Sequence, residues 1–160
     1  DFSVIRFSNL FNFQYLDFLC IKMLIASTSI IIVVVYIPPS LPLNCYQLFF
    51  ETLGTLDFLY DSKIFVIGDF NIPEFSSSAY NLRCGKSISL LNFMELFDLK
   101  QFNTTLNCSG RLLDLALSNT YCSVSPSDDP FVDEDPLHPS LCVKILVYQE
   151  SSGHYLKPVS

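Results

Sequence analysis

The stretch KIFVIGDFNIPE, Lys63–Glu74, decides how the chain is read. Ile64, Phe65, Val66 and Ile67 form an unbroken apolar run, as a strand buried on both faces requires. Gly68 ends the run, and Asp69, Asn71, Pro73 and Glu74 follow at once. A buried strand that stops at a glycine and then presents a carboxylate and an amide gives reactive groups a rigid support.

The flanks of this strand give it a setting. Upstream, Tyr46, Phe49, Phe50, Leu53 and Leu56 recur at helical spacing, which predicts an amphipathic helix over Asn44–Tyr60 with Asn44 as N-cap. Before it, Ile30–Ile37 is almost wholly β-branched and is stopped by Pro38-Pro39. Strand, helix and strand in this order predict a βαβ unit with Ile30–Ile37 and Ile64–Gly68 in one sheet. Tyr36 then stands at a strand end, like Asp69.

Phe18–Ile37 as a whole is about long enough to span a bilayer and could anchor the chain to a membrane. Lys22 and the polar Ser27-Thr28-Ser29 interrupt it, so two strands, Leu16–Ile25 and Ile30–Ile37, joined by a short turn are favoured. Residues 1–15 are rich in Phe and Tyr and show no clean period.

Downstream, Phe75–Gly85 is small and polar and reads as a loop. Leu90, Leu91, Met94 and Phe97 share one face of a second helix over Ser87–Phe97. Leu99–Thr105 is a short strand candidate. Leu112–Ser118 alternates, with Leu113, Leu115 and Leu117 on one side and Asp114 on the other. Ser123–Pro136 reads as an acidic loop, and Leu141–Val147 alternates again. His138 lies between the two, next to Pro139.

The bulk composition sets bounds. The chain has 160 residues, enough for one domain with a real core. Charged residues make up 16%, against about 25% in an ordinary soluble domain. The net charge of −7 argues against a module that binds nucleic acid by a basic face alone, but suits a site built on carboxylates. None of the 6 cysteines forms a CxxC pair, and all sit in or beside apolar segments, as buried free thiols of a reducing compartment would. No P-loop, GxGxxG or GxSxG is present.

Four pieces in chain order carry a resemblance: YIPP at Tyr36–Pro39, GDFN at Gly68–Asn71, RLLDLALSN at Arg111–Asn119 and HPSL at His138–Leu141. Together they resemble the endonuclease/exonuclease/phosphatase family, over about Ile30 to Val147. The wording is most similar to the apurinic-type endonuclease domain of non-LTR retrotransposons, particularly the insect jockey-like branch around VVYIPPS and VIGDFNIPEF.

The resemblance implies an α/β fold, a partial four-layer α/β sandwich lacking its N-terminal strands. Residues 1–29 would be an irregular segment with a first strand, 30–147 the family-like domain and 148–160 a frayed tail. It implies hydrolysis of DNA phosphodiesters with Mg2+ or Mn2+, in a nuclear or cytoplasmic setting, with a reverse transcriptase domain possible downstream in the parent polypeptide and no membrane attachment. Asp69 would position or activate water and is the candidate metal ligand. Asn71 and Tyr36 would contact phosphate, Asp114 would orient His138, and His138 would stabilise charge on the phosphoryl group.

The pattern departs from the family in two places. No counterpart of the family's metal-binding Glu precedes Tyr36, where the carboxylates are Asp1 and Asp17. Leu137 occupies the place of the Asp that usually precedes the histidine, with Asp135 beyond Pro136. A non-catalytic remnant or interaction module of the same fold is therefore the alternative expectation. A domain short of its partner sheet is also expected to leave apolar surface bare and to be poorly soluble alone.

Overall fold

The structure is a computed structural model and describes residues 2–5, 15–25, 27–76, 79–80 and 84–145. The tail expected over 148–160, and most of the aromatic stretch before residue 15, lie outside the described residues.

Strands β2 (Asp17–Ile25) and β3 (Thr28–Tyr36) form an antiparallel hairpin that turns at Ser27, with φ +69°. Phe18–Ile37 is therefore a pair of strands, and among the described residues no helix is long and apolar enough to cross a membrane. β1 (Phe2–Ile5) pairs antiparallel with β2, a strand that the aperiodic opening stretch did not announce. Helix α1 (Leu43–Gly54) carries the chain over to β4 (Lys63–Asp69), which lies parallel to β3 as the βαβ reading requires.

α1 is shorter than its periodicity suggests. It starts after Pro42, so Asn44 is not its cap, and it ends at Gly54. Gly54 weakens a helix intrinsically. It also lies against α2 (Gly85–Leu96), where an added Cβ would sit 3.1 Å from Leu96. The Tyr60 hydroxyl donates to the Gly54 carbonyl at 2.9 Å, satisfying an acceptor that the broken helix leaves open. Leu56 caps a separate one-turn helix at Asp57–Leu59 instead of continuing α1. α2 begins two residues earlier than expected, and its buried side is Ser87, Leu90, Phe93 and Met94, with Leu91 half-buried.

β8 (Asp114–Ser118) pairs antiparallel with β4, and β7 (Lys100–Gln101) with β8, giving the order β1-β2-β3-β4-β8-β7. β9 (Cys122–Pro126) and β10 (Leu141–Ile145) make a second, two-stranded sheet. β9 falls where a loop was expected; Ser123 and Ser125 alternate with Cys122 and Val124, a strand period carried by only two apolar residues. β5 (Phe75–Ser76) and β6 (Ala79–Tyr80) likewise pair within the expected Phe75–Gly85 loop.

The layers are helices, a large sheet and a small sheet, an α/β arrangement with a partial second sheet. Alternation along the strands assigns the two faces. Ile31, Val33, Val35, Ile64, Val66, Leu115 and Leu117 pack under α1 and α2 with Phe49, Phe50, Leu90 and Phe93. Phe50 joins the two helices at 4.9 Å to Phe93, and lies parallel to Phe70 at 6.3 Å. The other face is only partly covered. Val124, Val143 and Ile145 of the hairpin pack over Ile30 and Phe65. Leu19 and Val34, cross-strand partners on the same face, stay 45% and 39% exposed.

Candidate active site

Register brings the first three positions to one level. Tyr36 is the partner of Asp69, and Asp69 is the partner of Asp114. Residues opposite one another on neighbouring strands project from the same face. Here it is the face away from the helices, since Val35, Phe70 and Leu115 belong to the helical core.

The backbone of GDFN explains its residue types. Gly68 has φ +136°, and a Cβ there would lie 1.9 Å from the Val35 carbonyl oxygen, so the close approach of β3 and β4 demands glycine. Phe70 is buried and its N–H donates to Leu113 O at 3.0 Å, locking the loop to the approach of β8. Asn71 adopts φ +49°, a left-handed conformation that Asn tolerates well. Its backbone N–H donates to Asp69 Oδ1 at 3.0 Å, and its Nδ2 donates to Asp69 Oδ2 at 2.6 Å and to Ile37 O at 2.9 Å. Both amide hydrogens of Asn71 are thus engaged, and a phosphate contact through them requires exchanging one of these bonds.

His138 arrives on the connection between β9 and β10. Asp135, Pro136, Leu137 and His138 form a turn in which the His138 N–H donates to Asp135 O at 2.8 Å. The Leu137 N–H donates to Asp135 Oδ1 at 2.9 Å, and the Cys108 N–H holds Pro136 O at 2.9 Å. The imidazole then sits between two carboxylates. Nδ1 is 3.2 Å from Asp114 Oδ2, and Nε2 is 3.7 Å from Asp69 Oδ2.

Burial sets the electrostatics. Asp69 and Asp114 side chains retain 9% and 19% exposure, whereas His138 retains 38%. Loss of water holds the Asp69 carboxyl above its ordinary pKa, aided by the nearby charge of Asp114 and opposed by the Asn71 hydrogen bonds and by His138. Burial likewise raises Asp114, against its hydrogen bond to His138. Asp69 is consequently a stronger base than a surface aspartate, and Asp114 accepts from Nδ1–H, which fixes the tautomer that presents Nε2 to the site.

Asp69, Asp114 and His138 each offer one ligand atom, all within 4.8 Å of one another, and could hold a metal ion. Two carboxylates suit Mg2+, while an imidazole in the set favours Mn2+ or another transition ion. Asp135 and the other acidic residues of its loop are exposed and lie outside this group; Asp135 shapes the turn, and Glu134 accepts from the Ser140 N–H at 3.3 Å.

Tyr36, Asp69, Asp114 and His138 thus gather at one edge, with Asn71 bonded to Asp69. Tyr36 is 46% exposed at the rim, beside Asp17, its partner on β2. Sequence reasoning missed the support beneath Asp114. Asn103 is buried and donates through Nδ2 to Asp114 O at 2.7 Å, and the Gln101 Oε1 accepts from the Ala116 N–H at 2.8 Å. The signal was present as amides on alternate positions of an expected strand. That strand, Leu99–Thr105, forms a ladder only over Lys100–Gln101, with one further backbone bond from the Phe102 N–H to Ala116 O.

No protein-family model matches the chain, and no curated protein matches it. A solved structure, an endonuclease/exonuclease/phosphatase family protein from Leptotrichia buccalis C-1013-b, is similar over 82% of this chain and 52% of its own, with 12% identity and a TM-score of 0.46. The chain spans about half the length of that structure.

Proposed function

We propose that the chain is part of a phosphodiester-hydrolysing domain of the endonuclease/exonuclease/phosphatase type. The observation that carries this reading is the position of His138 between the carboxylates of Asp69 and Asp114 at the ends of adjacent strands. Attack on a phosphodiester needs a base for water and a donor for the charge that builds on the phosphoryl oxygens. Asp69, held by two hydrogen bonds from Asn71, takes the proton of the attacking water as the P–O bond to the leaving oxygen breaks, and that oxygen takes up a proton from solvent. Asp114 steadies the ring through Nδ1–H, and in its protonated, imidazolium form the ring donates Nε2–H to a phosphoryl oxygen. Tyr36, at the exposed rim, offers its hydroxyl to the same phosphate. Asp69, with Asp114 and His138 in reach, would hold Mg2+ or Mn2+, which would supply Lewis-acid charge neutralisation.

The ordered YIPP, GDFN, LDL and HP pieces favour DNA as substrate and a retroelement of the jockey-like kind as source, with a reverse transcriptase as a further part of the parent polypeptide. A reducing intracellular setting goes with six cysteines that are all free. The test is nicking of supercoiled plasmid in Mg2+ or Mn2+ against EDTA. Wild type should nick and Asp69→Ala should not; equal rates would remove Asp69 from its role.

A second reading, the same fold without catalysis, is favoured by one observation. Among the described residues the group that could hold a metal ion offers Asp69 a single further carboxylate, Asp114, which is already bonded to His138. In that case calorimetry finds no Mn2+ or Mg2+ binding that Asp69→Ala abolishes.

A further inference from the structure

We infer that Asn103 is a positioning residue for the Asp114–His138 pair, acting through the backbone of β8. The inference rests on the proposed working role of that pair, but its geometric content stands apart from any reaction. β8 pairs with β4 on one side along its whole length, and with β7 on the other only as far as Leu117. At the site end the outer edge of β8 has no strand beside it. Two hydrogen bonds take the strand's place: the Phe102 N–H to Ala116 O at 2.9 Å, and Asn103 Nδ2 to Asp114 O at 2.7 Å.

Asn103 is well placed to act as a fixed strut. It is 1% exposed, so its amide has no water to exchange with. Its Oδ1 accepts from the Thr105 N–H at 2.9 Å, its own N–H donates to Gln101 Oε1 at 3.3 Å, and its carbonyl accepts from Gln101 Nε2 at 3.2 Å. Gln101 in turn receives the Ala116 N–H, so both amides grip the same strand. Without the Asn103 donor, the half-buried Asp114 carbonyl loses this partner at the end of a strand, where local opening is easiest. The carboxylate attached to that backbone must then wander relative to the imidazole 3.2 Å away.

The far end of the same strand pair supplies the control. Asn119, just beyond β8, accepts from the Ile64 N–H at 2.8 Å and donates to Ser62 O at 3.0 Å, clamping the start of β4. Two asparagines thus secure opposite ends of one strand pair, and only one of them lies at the site.

The experiment compares wild type, Asn103→Ala, Asn103→Asp and Asn119→Ala as the full chain. Asn103→Asp keeps the size and the bond from Thr105 but turns the donor toward Asp114 into an acceptor. Each is read by thermal melting, by plasmid nicking resolved into kcat and KM, and by the ring-nitrogen shifts of His138 in a long-range proton–nitrogen correlation. Both Asn103 variants should lower kcat by about 10- to 100-fold, as loss of a supporting hydrogen bond does. KM should stay near wild type, and the His138 shifts should move toward mixed tautomers. Asn119→Ala should melt early with kcat and the His138 shifts retained. Unchanged His138 shifts in Asn103→Asp, or the same shift change in Asn119→Ala, would overturn the inference. A wild type that does not nick refutes the proposed function alone, since the His138 comparison still decides whether Asn103 positions the pair.

Discussion

His138 Nδ1 lies 3.2 Å from Asp114 Oδ2, across 24 positions of chain. The pairing joins the edge of the large sheet to the connection of the small one. It leaves Nε2 facing Asp69 at 3.7 Å. One carboxylate is therefore within hydrogen-bond distance of the ring and the other is half an ångström farther away. Their environments differ accordingly, because Asp69 alone carries the Asn71 hydrogen bonds.

Asp114→Asn separates stability from activity. Burial raises the Asp114 pKa in the folded chain, so the folded state holds that proton more tightly than the unfolded state. The stabilisation from proton uptake is complete below the unfolded value of about 3.9 and is lost as pH rises through the raised folded value. Charged Asp114 thus opposes folding at neutral pH. Asp114→Asn should melt above wild type at pH near 7, with the gap closing toward acid, and should nick about 10- to 100-fold more slowly. Paired melts across pH check the sign. A variant less stable than wild type at neutral pH would mean that the His138 bond outweighs burial.

Gly68→Ala should be among the most damaging single-methyl changes in the chain. The left-handed φ alone carries about 1–3 kcal/mol. The collision with the Val35 carbonyl adds to it, because only a shift of β3 against β4 relieves it. Denaturant unfolding should show a loss at or above the top of that range. A loss below 1 kcal/mol would show that the two strands are not held this close.

Asp135 can be tested by a pair of substitutions. If its part is the turn that delivers His138, Asp135→Asn keeps the side-chain oxygen that accepts the Leu137 N–H, and nicking should survive within about threefold. Asp135→Ala removes the acceptor and should cost about 0.5–1.5 kcal/mol of loop order, with slower nicking. Equal impairment in both variants would instead assign the residue a role for its charge.

Leu19→Lys with Val34→Glu replaces an exposed apolar cross-strand pair by an ion pair. The change should move stability by less than about 1 kcal/mol. It should also reduce self-association of the chain, measured by light scattering. Unchanged association would place the adhesive surface elsewhere.

Much of this was legible in the residues. The β-branched Ile30–Ile37 and the apolar Ile64–Ile67 disclosed their strands, and their parallel pairing followed from the helix between them. Asp114 was placed on the correct side of its strand by alternation alone. What stayed hidden was decided by tertiary contact. α1 ends at Gly54 because a second helix presses there, which no window of local sequence contains. β9 was hidden because only Cys122 and Val124 carry its apolar side, and β5 and β6 by their length of two residues each. Asn103 looked like one more polar position because the carbonyl it serves is 11 residues away.

The register that lines up Tyr36, Asp69 and Asp114 has a consequence for how such a chain can change length. An insertion in the exposed 128–133 part of the connection, ahead of the turn that carries His138, alters only a path between fixed ends. Removing one residue inside β4 ahead of Asp69 sends every following side chain of the strand to the opposite face, so that Phe70 takes the place of the carboxylate. Sequences of this kind can therefore drift freely in spacing between their motifs, while the number of residues within each motif strand is held by the pleat itself.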